Sequence, residues 1–369
     1  MNKSVIILFS FLLIIVFVTG IFVSSYELFP YEILKSIKNN LIDTKILEQP
    51  IYYEQNIDSL IHINSASNIQ EKKIQLKNFI WKDQYLNNLP NIERNISDER
   101  YKNLDNLLEI EKLSVSMEHD VDSIMYLFKA KNSNNELIIY HQGHRGDFIN
   151  GFEYIQFFLN NNYSVLAVSM PLLGMNSSPI IDHTNFGKIQ LQTHNQLELL
   201  ETTNFTPMKF FFEPVNSGIN YLENNHNFIK IHIVGISGGG WMAAVYPALD
   251  DRIDTSISVA GSVPLYLRSQ SENFGDYEQH NLSLYKITNY LDLYTLASYG
   301  ENRKFIQIFN KFDPCCFHGE SFFQYKDAIK KNISSFENGH FDIFFDDTHK
   351  EHKISNNALG KIINSLKND

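Results

Sequence analysis

One short stretch, residues 231–245 with the sequence IHIVGISGGGWMAAV, limits the folds open to this chain more than any other. A β-branched run reaches Gly235, a serine follows at position 237, and glycines and small apolar residues come next. This order predicts a buried strand, a tight turn and a closely packed helix. On such a turn the residues two before and two after the serine come close together, so Gly235 and Gly239 would relieve a clash. The spacing therefore predicts Ser237 as a nucleophile on a strained strand-to-helix turn.

A flexible glycine loop that binds phosphate is the alternative interpretation of this stretch. A P-loop has a lysine after its glycines, where this chain has Trp241, and the dinucleotide-binding pattern G-x-G-x-x-G is absent. The helix expected to begin near Gly239 would also direct its N-terminal amides and its positive dipole end at the serine. The sequence context favours the nucleophile turn.

Strand and helix patterns alternate through most of the chain. From about Leu113, the segments LSVSMEH and SIMYLFKA alternate like strands around HDVD and predict a hairpin. Apolar runs and amphipathic segments then follow one another to the C-terminal end. The pattern predicts an α/β domain over residues 113–369, with a mostly parallel central sheet covered by helices on both faces. A Tyr-rich excursion over residues 262–300 lies where such a domain would carry a lid.

The first 112 residues differ from the rest. Residues 26–112 are polar and Asn-rich, with apolar residues at helical spacing, and predict a helical extension. Before them, Val5 to Val23 is a run of nineteen residues without a charge, preceded by Lys3. A membrane span needs about 20 apolar residues, and a signal-peptide core about 7–15. We expect residues 1–25 to be a signal anchor of an exported, membrane-associated protein; a cleaved signal, leaving a secreted or periplasmic protein, is the alternative.

Composition excludes one class of partner. The chain of 369 residues has a formal net charge of −11, and phosphate binding needs a basic surface, so we expect no nucleic acid partner.

The two cysteines, Cys315 and Cys316, are adjacent and cannot join distant segments. We expect both thiols to be reduced; a strained disulfide between these two neighbours is the alternative.

A serine hydroxyl needs a base to take its proton, and that base needs an acid to orient it. Asp313 directly follows the predicted strand KFIQIFN, at the end where ligand sites of open α/β sheets lie. His352 stands shortly before the closing helix, and His349 lies three residues earlier. We predict Asp313 as the acid and His352 as the base, with His349 as the alternative base.

The reaction also needs donors for an oxyanion. The backbone N–H of Gly238, next to the serine, would supply one. The second would come from Gly143 or His144, in the loop after the predicted strand ELIIYH. His141 and His144 could instead form a metal pair, but no carboxylate stands at partner spacing. We expect neither a metal nor a cofactor.

These motifs together resemble the α/β-hydrolase superfamily over about residues 113–369. The resemblance rests on GISGG between strand and helix, HQGH after an earlier strand, Asp313 after a late strand and His352 near the C-terminus. It implies a Ser237–His352–Asp313 triad and a two-step acyl transfer with water as the final acceptor. Where the family usually has His-Gly in the oxyanion loop, this chain has Gln142-Gly143, so it departs from the family pattern at the second oxyanion donor.

The resemblance implies a serine hydrolase but no particular substrate, because one geometry serves esters, thioesters, amides and peptides. We expect a carboxylesterase acting on a small or carbohydrate-linked acyl ester. An exported peptidase or amidase of the same fold is one alternative. A catalytically silent, membrane-anchored binding module is another, although it would have no need of the serine, acid and histidine in this order.

Overall fold

The computed structural model of the chain describes residues 3–25, 56–82, 88–268 and 274–367. It divides into two compact units, Met1–Ile51 and Tyr52–Asp369. In the first unit, the apolar run forms helix α1, Lys3–Ser25. In the part of the chain that the structure describes, no helix combines the length and the apolarity needed to cross a membrane. The transmembrane anchor expected from the sequence is therefore not supported by the structure.

The described residues of the second unit contain a nine-stranded sheet and a separate two-stranded hairpin. The strands are β1 (Asn91–Glu93), β2 (Leu107–Ser116), β3 (Asp122–Ala130), β4 (Glu136–His141), β5 (Ser164–Val168), β6 (Ile180–His183), β7 (Gly187–Gln190), β8 (Lys230–Ile236), β9 (Thr255–Val259), β10 (Lys304–Asn310) and β11 (His340–Asp346). The sheet order is β1-β2-β3-β5-β4-β8-β9-β10-β11, and β6 pairs with β7. The six strands β5, β4, β8, β9, β10 and β11 run parallel to one another. The pairs β1–β2, β2–β3 and β3–β5 are antiparallel. The predicted mostly parallel sheet with an opening antiparallel hairpin is confirmed.

Helices cover both faces of this sheet. They are α2 (Ala66–Trp81), α3 (Phe152–Asn160), α4 (Lys209–Asn225), α5 (Gly238–Leu249), α6 (Tyr277–His280), α7 (Leu282–Ile287), α8 (Tyr290–Ser298), α9 (Lys326–Ser334) and α10 (Asn356–Lys367). Alternate side chains of each strand point to opposite faces. In β4, Leu137 and Ile139 join the core with α2, α4, α5, α8 and α9, and Ile138 and Tyr140 join the core with α3 and α10. The predicted two-sided helical cover is therefore confirmed.

The parallel arrangement brings several chain segments to one edge. Strands β4, β8, β10 and β11 are parallel, so the residues that follow His141, Ile236, Asn310 and Asp346 leave the sheet at the same edge. Ligand sites of open α/β sheets lie outside these carboxyl ends. The candidate nucleophile directly follows β8, and the candidate acid and bases lie in the loops after β10 and β11.

The expected helical extension is only partly correct. Helix α2 is present, begins at the N-cap Ser65, and buries Ile69, Leu76 and Ile80 at helical spacing. From Asn91 onward, however, the chain forms β1, an irregular stretch with one short helical turn at Glu99–Tyr101, and β2, where the sequence predicted a helical extension up to residue 112. The part of the predicted extension over residues 26–55 lies outside the described residues. Pairing of β2 with β3 along nearly its whole length satisfies the backbone within the sheet, and this long-range pairing outweighs a local helical pattern.

The segment before α2 is attached to the main domain through a buried carboxylate. Asp292, in α8, is fully buried and accepts hydrogen bonds from the backbone N–H groups of His62 at 2.7 Å and Ile63 at 3.3 Å. The same carboxylate lies 2.9 Å from Nδ1 of His62. Lys73 of α2 in turn forms an ion pair with Asp251. Residues 56–82 are therefore part of the same compact unit as the sheet.

The excursion over residues 262–300 is not lid-like throughout. Every residue of α8 is buried, and Tyr290 and Tyr294 belong to the hydrophobic core. The ring of Tyr285 stacks on that of Tyr290 with 4.7 Å between centroids. The guanidinium carbon of Arg268 lies 4.8 Å from the centroid of the Tyr290 ring. These tyrosines pack the domain, so they do not form an open aromatic surface.

Candidate active site

Ser237 forms a one-residue turn between β8 and α5. Its backbone angles are φ 56° and ψ −123°, a sparsely populated conformation for a residue with a side chain. The turn is held on both sides, because the N–H of Ser237 donates to the carbonyl of Val259 at 3.0 Å and its carbonyl accepts from Trp241 at 2.9 Å. Strain of this kind persists where the surroundings fix it, and it is concentrated at functional sites.

Glycines make this turn possible through close approaches. A Cβ on Gly235 would lie 2.0 Å from the carbonyl oxygen of Gly239, and a Cβ on Gly239 would lie 1.9 Å from that of His141. A Cβ on Gly143 would lie 2.7 Å from the Cβ of Ser237 and 3.3 Å from the backbone N of Gly238. The predicted oxyanion loop therefore lies directly against the serine.

Asp313 and His352 form a buried pair after β10 and β11. Nδ1 of His352 lies 2.7 Å from Oδ2 of Asp313, and the side chains are 3% and 0% exposed. The other oxygen, Oδ1 of Asp313, accepts from the backbone N–H groups of Cys315 at 2.8 Å and Cys316 at 3.4 Å. Because a carboxylate only accepts, the proton lies on Nδ1 of His352. Nε2 of His352 is buried and has no hydrogen-bond partner among the described residues.

His349, the alternative base, has a different neighbour. Its Nε2 lies 3.6 Å from Oδ2 of Asp346, and its Nδ1 accepts from the backbone N–H of Glu351 at 3.2 Å. The carboxylate of Asp346 is already occupied by Thr348 and Ser355. The structure thus pairs Asp313 with His352 and leaves His349 beside a carboxylate that caps the following turns.

The two adjacent cysteines are joined in the structure. Cys315 and Cys316 form a disulfide, so the expectation of two reduced thiols is wrong. They follow Asp313-Pro314 on a tight turn that the Asp313 carboxylate closes by accepting both cysteine N–H groups. The side chains are brought together by the turn that also holds the candidate acid.

The predicted oxyanion loop is anchored at Gln142. Its backbone N–H donates to the carbonyl of Val168 at 2.9 Å, and its side-chain oxygen accepts from the hydroxyl of Tyr140. His141 is fully buried, and its Nδ1 lies 3.0 Å from the carbonyl of Gln142. Burial lowers the pKa of His141 to about 4, so the ring is neutral near pH 7. These contacts hold the loop that carries Gly143 and His144 at the end of β4.

A cluster that the sequence did not reveal lies beside this loop. It consists of His144, His194, Asp276 and Glu278, whose nitrogen and oxygen atoms lie within 4.8 Å of one another. Burial alone would raise the pKa of Glu278, but the nearby His194 and His144 hold it below its usual range. Burial alone would lower the pKa of His194, but Glu278 raises it. The residues come from three distant segments, so no spacing pattern could have indicated the cluster.

The sheet order, the strained serine after β8 and the two-sided helical cover define the α/β-hydrolase fold, and the chain has this fold. No protein-family model matches the chain, and no curated protein sequence does.

Solved structures of esterases are similar to this chain at low sequence identity. Acetyl xylan esterase 1 from Thermoanaerobacterium sp. is 13% identical, with a TM-score of 0.55 over 86% of this chain and 98% of its own. An acetyl xylan esterase from a Paenibacillus species is 12% identical, with a TM-score of 0.54 over 86% and 99%. A glucuronoyl esterase from Solibacter usitatus is 11% identical, with a TM-score of 0.53 over 81% and 91%. At these identities the likeness supports the fold.

Proposed function

We propose that this protein is a serine hydrolase that cleaves carboxylic esters through an acyl-enzyme. The observation that carries the proposal is the backbone of Ser237, held at φ 56° and ψ −123° between a strand and a helix. A buried acid–histidine pair follows two later strands of the same parallel sheet. A non-catalytic module would have no use for a strained serine at the edge where this pair lies.

Each side chain has one task in the proposed reaction. Oγ of Ser237 attacks the carbonyl carbon of the ester while Nε2 of His352 takes its proton. Asp313 accepts the Nδ1–H of His352, which fixes the ring and stabilises the imidazolium. His352 then gives the proton to the leaving alcohol. Water, activated by the same histidine, attacks the acyl-enzyme, and Ser237 is regenerated with release of the carboxylic acid.

Backbone amides next to the serine would stabilise the negative charge on the tetrahedral intermediate. The N–H of Gly238 lies at the first position of α5, where the helix dipole adds a favourable field. The second donor is the N–H of Gly143 or His144, in the loop that touches Ser237. Removal of one such donor typically costs about 10²–10³ in kcat.

The names of the similar structures support one substrate class. Two of those named above are acetyl xylan esterases and one is a glucuronoyl esterase. We therefore propose an acyl ester on a carbohydrate as the substrate class, with a small acyl group. The peptidase and amidase alternative receives no support from these names and becomes an outcome of the substrate test.

The first experiment labels the folded protein with a fluorophosphonate probe. Wild type should be labelled, and Ser237→Ala and His352→Ala should not. His349→Gln is the matched control, because this histidine lies beside Asp346 and should leave labelling intact. An unlabelled, folded wild type would contradict the enzyme proposal. A loss of labelling in His349→Gln but not in His352→Ala would reassign the base.

The second experiment separates ester from amide cleavage. Short-chain p-nitrophenyl esters and acetylated xylo-oligosaccharides should be hydrolysed, with release of acetate from the latter. Aminoacyl nitroanilides should not be cleaved. Cleavage of the anilides at rates comparable to the esters would favour the peptidase or amidase alternative.

We also propose that the protein is exported. Lys3 precedes the apolar run of α1, the charge distribution typical of a segment that directs the following chain across a membrane. A disulfide between Cys315 and Cys316 is compatible with an oxidising compartment. Cell fractionation with N-terminal sequencing tests this: export predicts the protein outside the cytoplasm, and a mature N-terminus near Ser25 would identify a cleaved signal.

A further inference from the structure

The cluster of His144, His194, Asp276 and Glu278 joins three segments beside the candidate nucleophile. His144 belongs to the loop after β4, and His194 begins a short helical turn before α4. Asp276 is the N-cap of α6, and Glu278 lies in its first turn. None of the four has a side-chain role in the proposed hydrolysis, so the cluster needs its own explanation.

The contacts converge on Glu278. Its Oε1 lies 3.0 Å from Nε2 of His144, and its Oε2 lies 3.1 Å from Nδ1 of His194. Nε2 of His144 also lies 3.2 Å from Oδ2 of Asp276. The side chains of Glu278 and His194 are 0% and 2% exposed, whereas those of His144 and Asp276 are 27% and 43% exposed. The cluster is closed on one side and open to solvent on the other, which gives a ligand a path of entry.

The hydrogen bond of the second ring nitrogen of His194 limits what can lie between His194 and Glu278. Nε2 of His194 lies 2.9 Å from the carbonyl oxygen of Pro171, which can only accept, so this nitrogen carries a proton. In the neutral ring, Nδ1 then presents a lone pair to a carboxylate oxygen that also only accepts. A positive charge at this contact, carried either by a proton on Nδ1 or by a bound metal ion, would satisfy both groups. A backbone carbonyl on the second ring nitrogen is also the arrangement that commonly orients metal-binding histidines.

The donor set and its spacing suit a transition-metal ion. Two imidazole nitrogens and two carboxylates form a neutral site with a divalent ion, and zinc accepts both kinds of ligand in four-coordinate geometry. Metal–ligand distances of about 2.0–2.1 Å in a tetrahedron place neighbouring ligand atoms about 3.3 Å apart. The nitrogen–oxygen contacts of 3.0–3.2 Å in this cluster are close to that value.

We propose that His144, His194, Asp276 and Glu278 bind one divalent transition-metal ion of the zinc class. The ion connects the loop of Gly143 and His144 with α6 and with the turn at His194. The His144 ring lies against the helix N-terminus, because a Cβ on Gly238 would lie 2.4 Å from its Cε1. This set differs from the pair of His141 and His144 that the sequence allowed but did not favour, because Nδ1 of His141 is engaged with the carbonyl of Gln142. Binding of this ion would not require that the protein hydrolyses esters.

Metal binding by the full chain tests the proposal directly. The protein is treated with a chelator, passed through a desalting column and titrated with Zn²⁺ or Co²⁺. We expect one ion retained per chain, a higher midpoint of thermal unfolding with Zn²⁺, and visible absorption bands of four-coordinate Co²⁺. In His194→Gln and Glu278→Gln we expect affinity to fall by more than the 10–100-fold typical of losing an outer partner.

A matched control and a second readout keep the result decisive. His226→Gln removes another histidine beside a carboxylate, with Nε2 of His226 3.4 Å from Oε2 of Glu111, and should retain the ion. If wild type holds no more metal than His194→Gln, the cluster is an ion-pair network and the proposal is overturned. Should a cluster variant fail to fold, the wild-type Co²⁺ spectrum decides, because absence of bands at saturating Co²⁺ also overturns the proposal.

Discussion

Oδ2 of Asp313 lies 2.7 Å from Nδ1 of His352, although the two residues are 39 positions apart in the chain. Both side chains are buried, and the carboxylate is also held by the amides of the next turn. The pair therefore fixes one face of the imidazole and leaves Nε2 as the nitrogen that can exchange a proton.

Replacement of this acid by its amide should remove most of the activity. Asp313→Asn keeps the shape of the side chain but no longer fixes the proton on Nδ1 of His352, so kcat on p-nitrophenyl acetate should fall by about 10³–10⁴-fold. His349→Gln should leave the rate unchanged. Full activity of a folded Asp313→Asn would show that the pair has only a structural role.

Gly239→Ala should disrupt the turn beneath the serine. The new Cβ would lie 1.9 Å from the carbonyl oxygen of His141, which is backbone and cannot rotate away. We expect a loss of about 3 kcal/mol or more in the free energy of unfolding, measured by urea denaturation. Gly360→Ala is the control, because that glycine lies inside α10 with no atom near a new Cβ, and should gain about 0.5–1 kcal/mol. Equal stability of the two variants would contradict the packing described for β4 and α5.

His141 should make stability depend on pH. Burial lowers its folded-state pKa to about 4, against about 6.5 in an unfolded chain. Between these values the unfolded chain binds the proton, so the contribution is complete above about pH 6.5 and is lost as pH falls toward 4. The loss amounts to about 3 kcal/mol. Urea denaturation at several pH values should show a shallower decline in His141→Gln than in wild type, and parallel profiles would refute this assignment.

Asp292→Ala should release the segment before α2. Two backbone N–H groups, of His62 and Ile63, would lose their acceptor, and the cost should be about 1–3 kcal/mol. Limited proteolysis should then cut near residues 56–65 faster than in wild type. Asp58→Ala removes an exposed contact of the same segment, with Lys331 at 3.1 Å, and should change stability by no more than about 0.5 kcal/mol. Similar cleavage of both variants would mean that Asp292 does not anchor the segment.

The close contacts that a tight turn requires could be predicted from the sequence, because they involve residues only a few positions apart. The order of strand, Gly235, Ser237, Gly239 and helix follows from crowding within a few residues, and the structure contains that turn. The alternation of apolar runs indicated the mostly parallel sheet, because strands buried on both faces need continuous apolar side chains. Gly240 had no role in this pattern. In the structure, a Cβ added to Gly240 would lie 2.8 Å from Cα of Gly261. The missing side chain of Gly240 therefore allows α5 to approach the end of β9.

Long-range pairing decided what the sequence left open or suggested wrongly. Residues 91–116 form strands because β2 finds a partner in β3, which a local helical pattern cannot reveal. From the sequence, either His349 or His352 could be the partner of Asp313. In the structure, the turns after β10 and β11 place Asp313 beside His352, and His349 lies beside Asp346. Glu278 contacts two histidines, His144 and His194, that precede it in the chain by 134 and 84 positions.

The sequence by itself indicated the strained turn at Ser237 and the order of the candidate nucleophile, acid and histidine along an α/β chain, because the turn depends on backbone geometry within a single segment. Only the tertiary structure decided which histidine contacts the acid and which three side chains lie around Glu278. Those contacts depend on the order of strands in the sheet and on where the loops leave it, and neither is encoded by the spacing of residues within one segment.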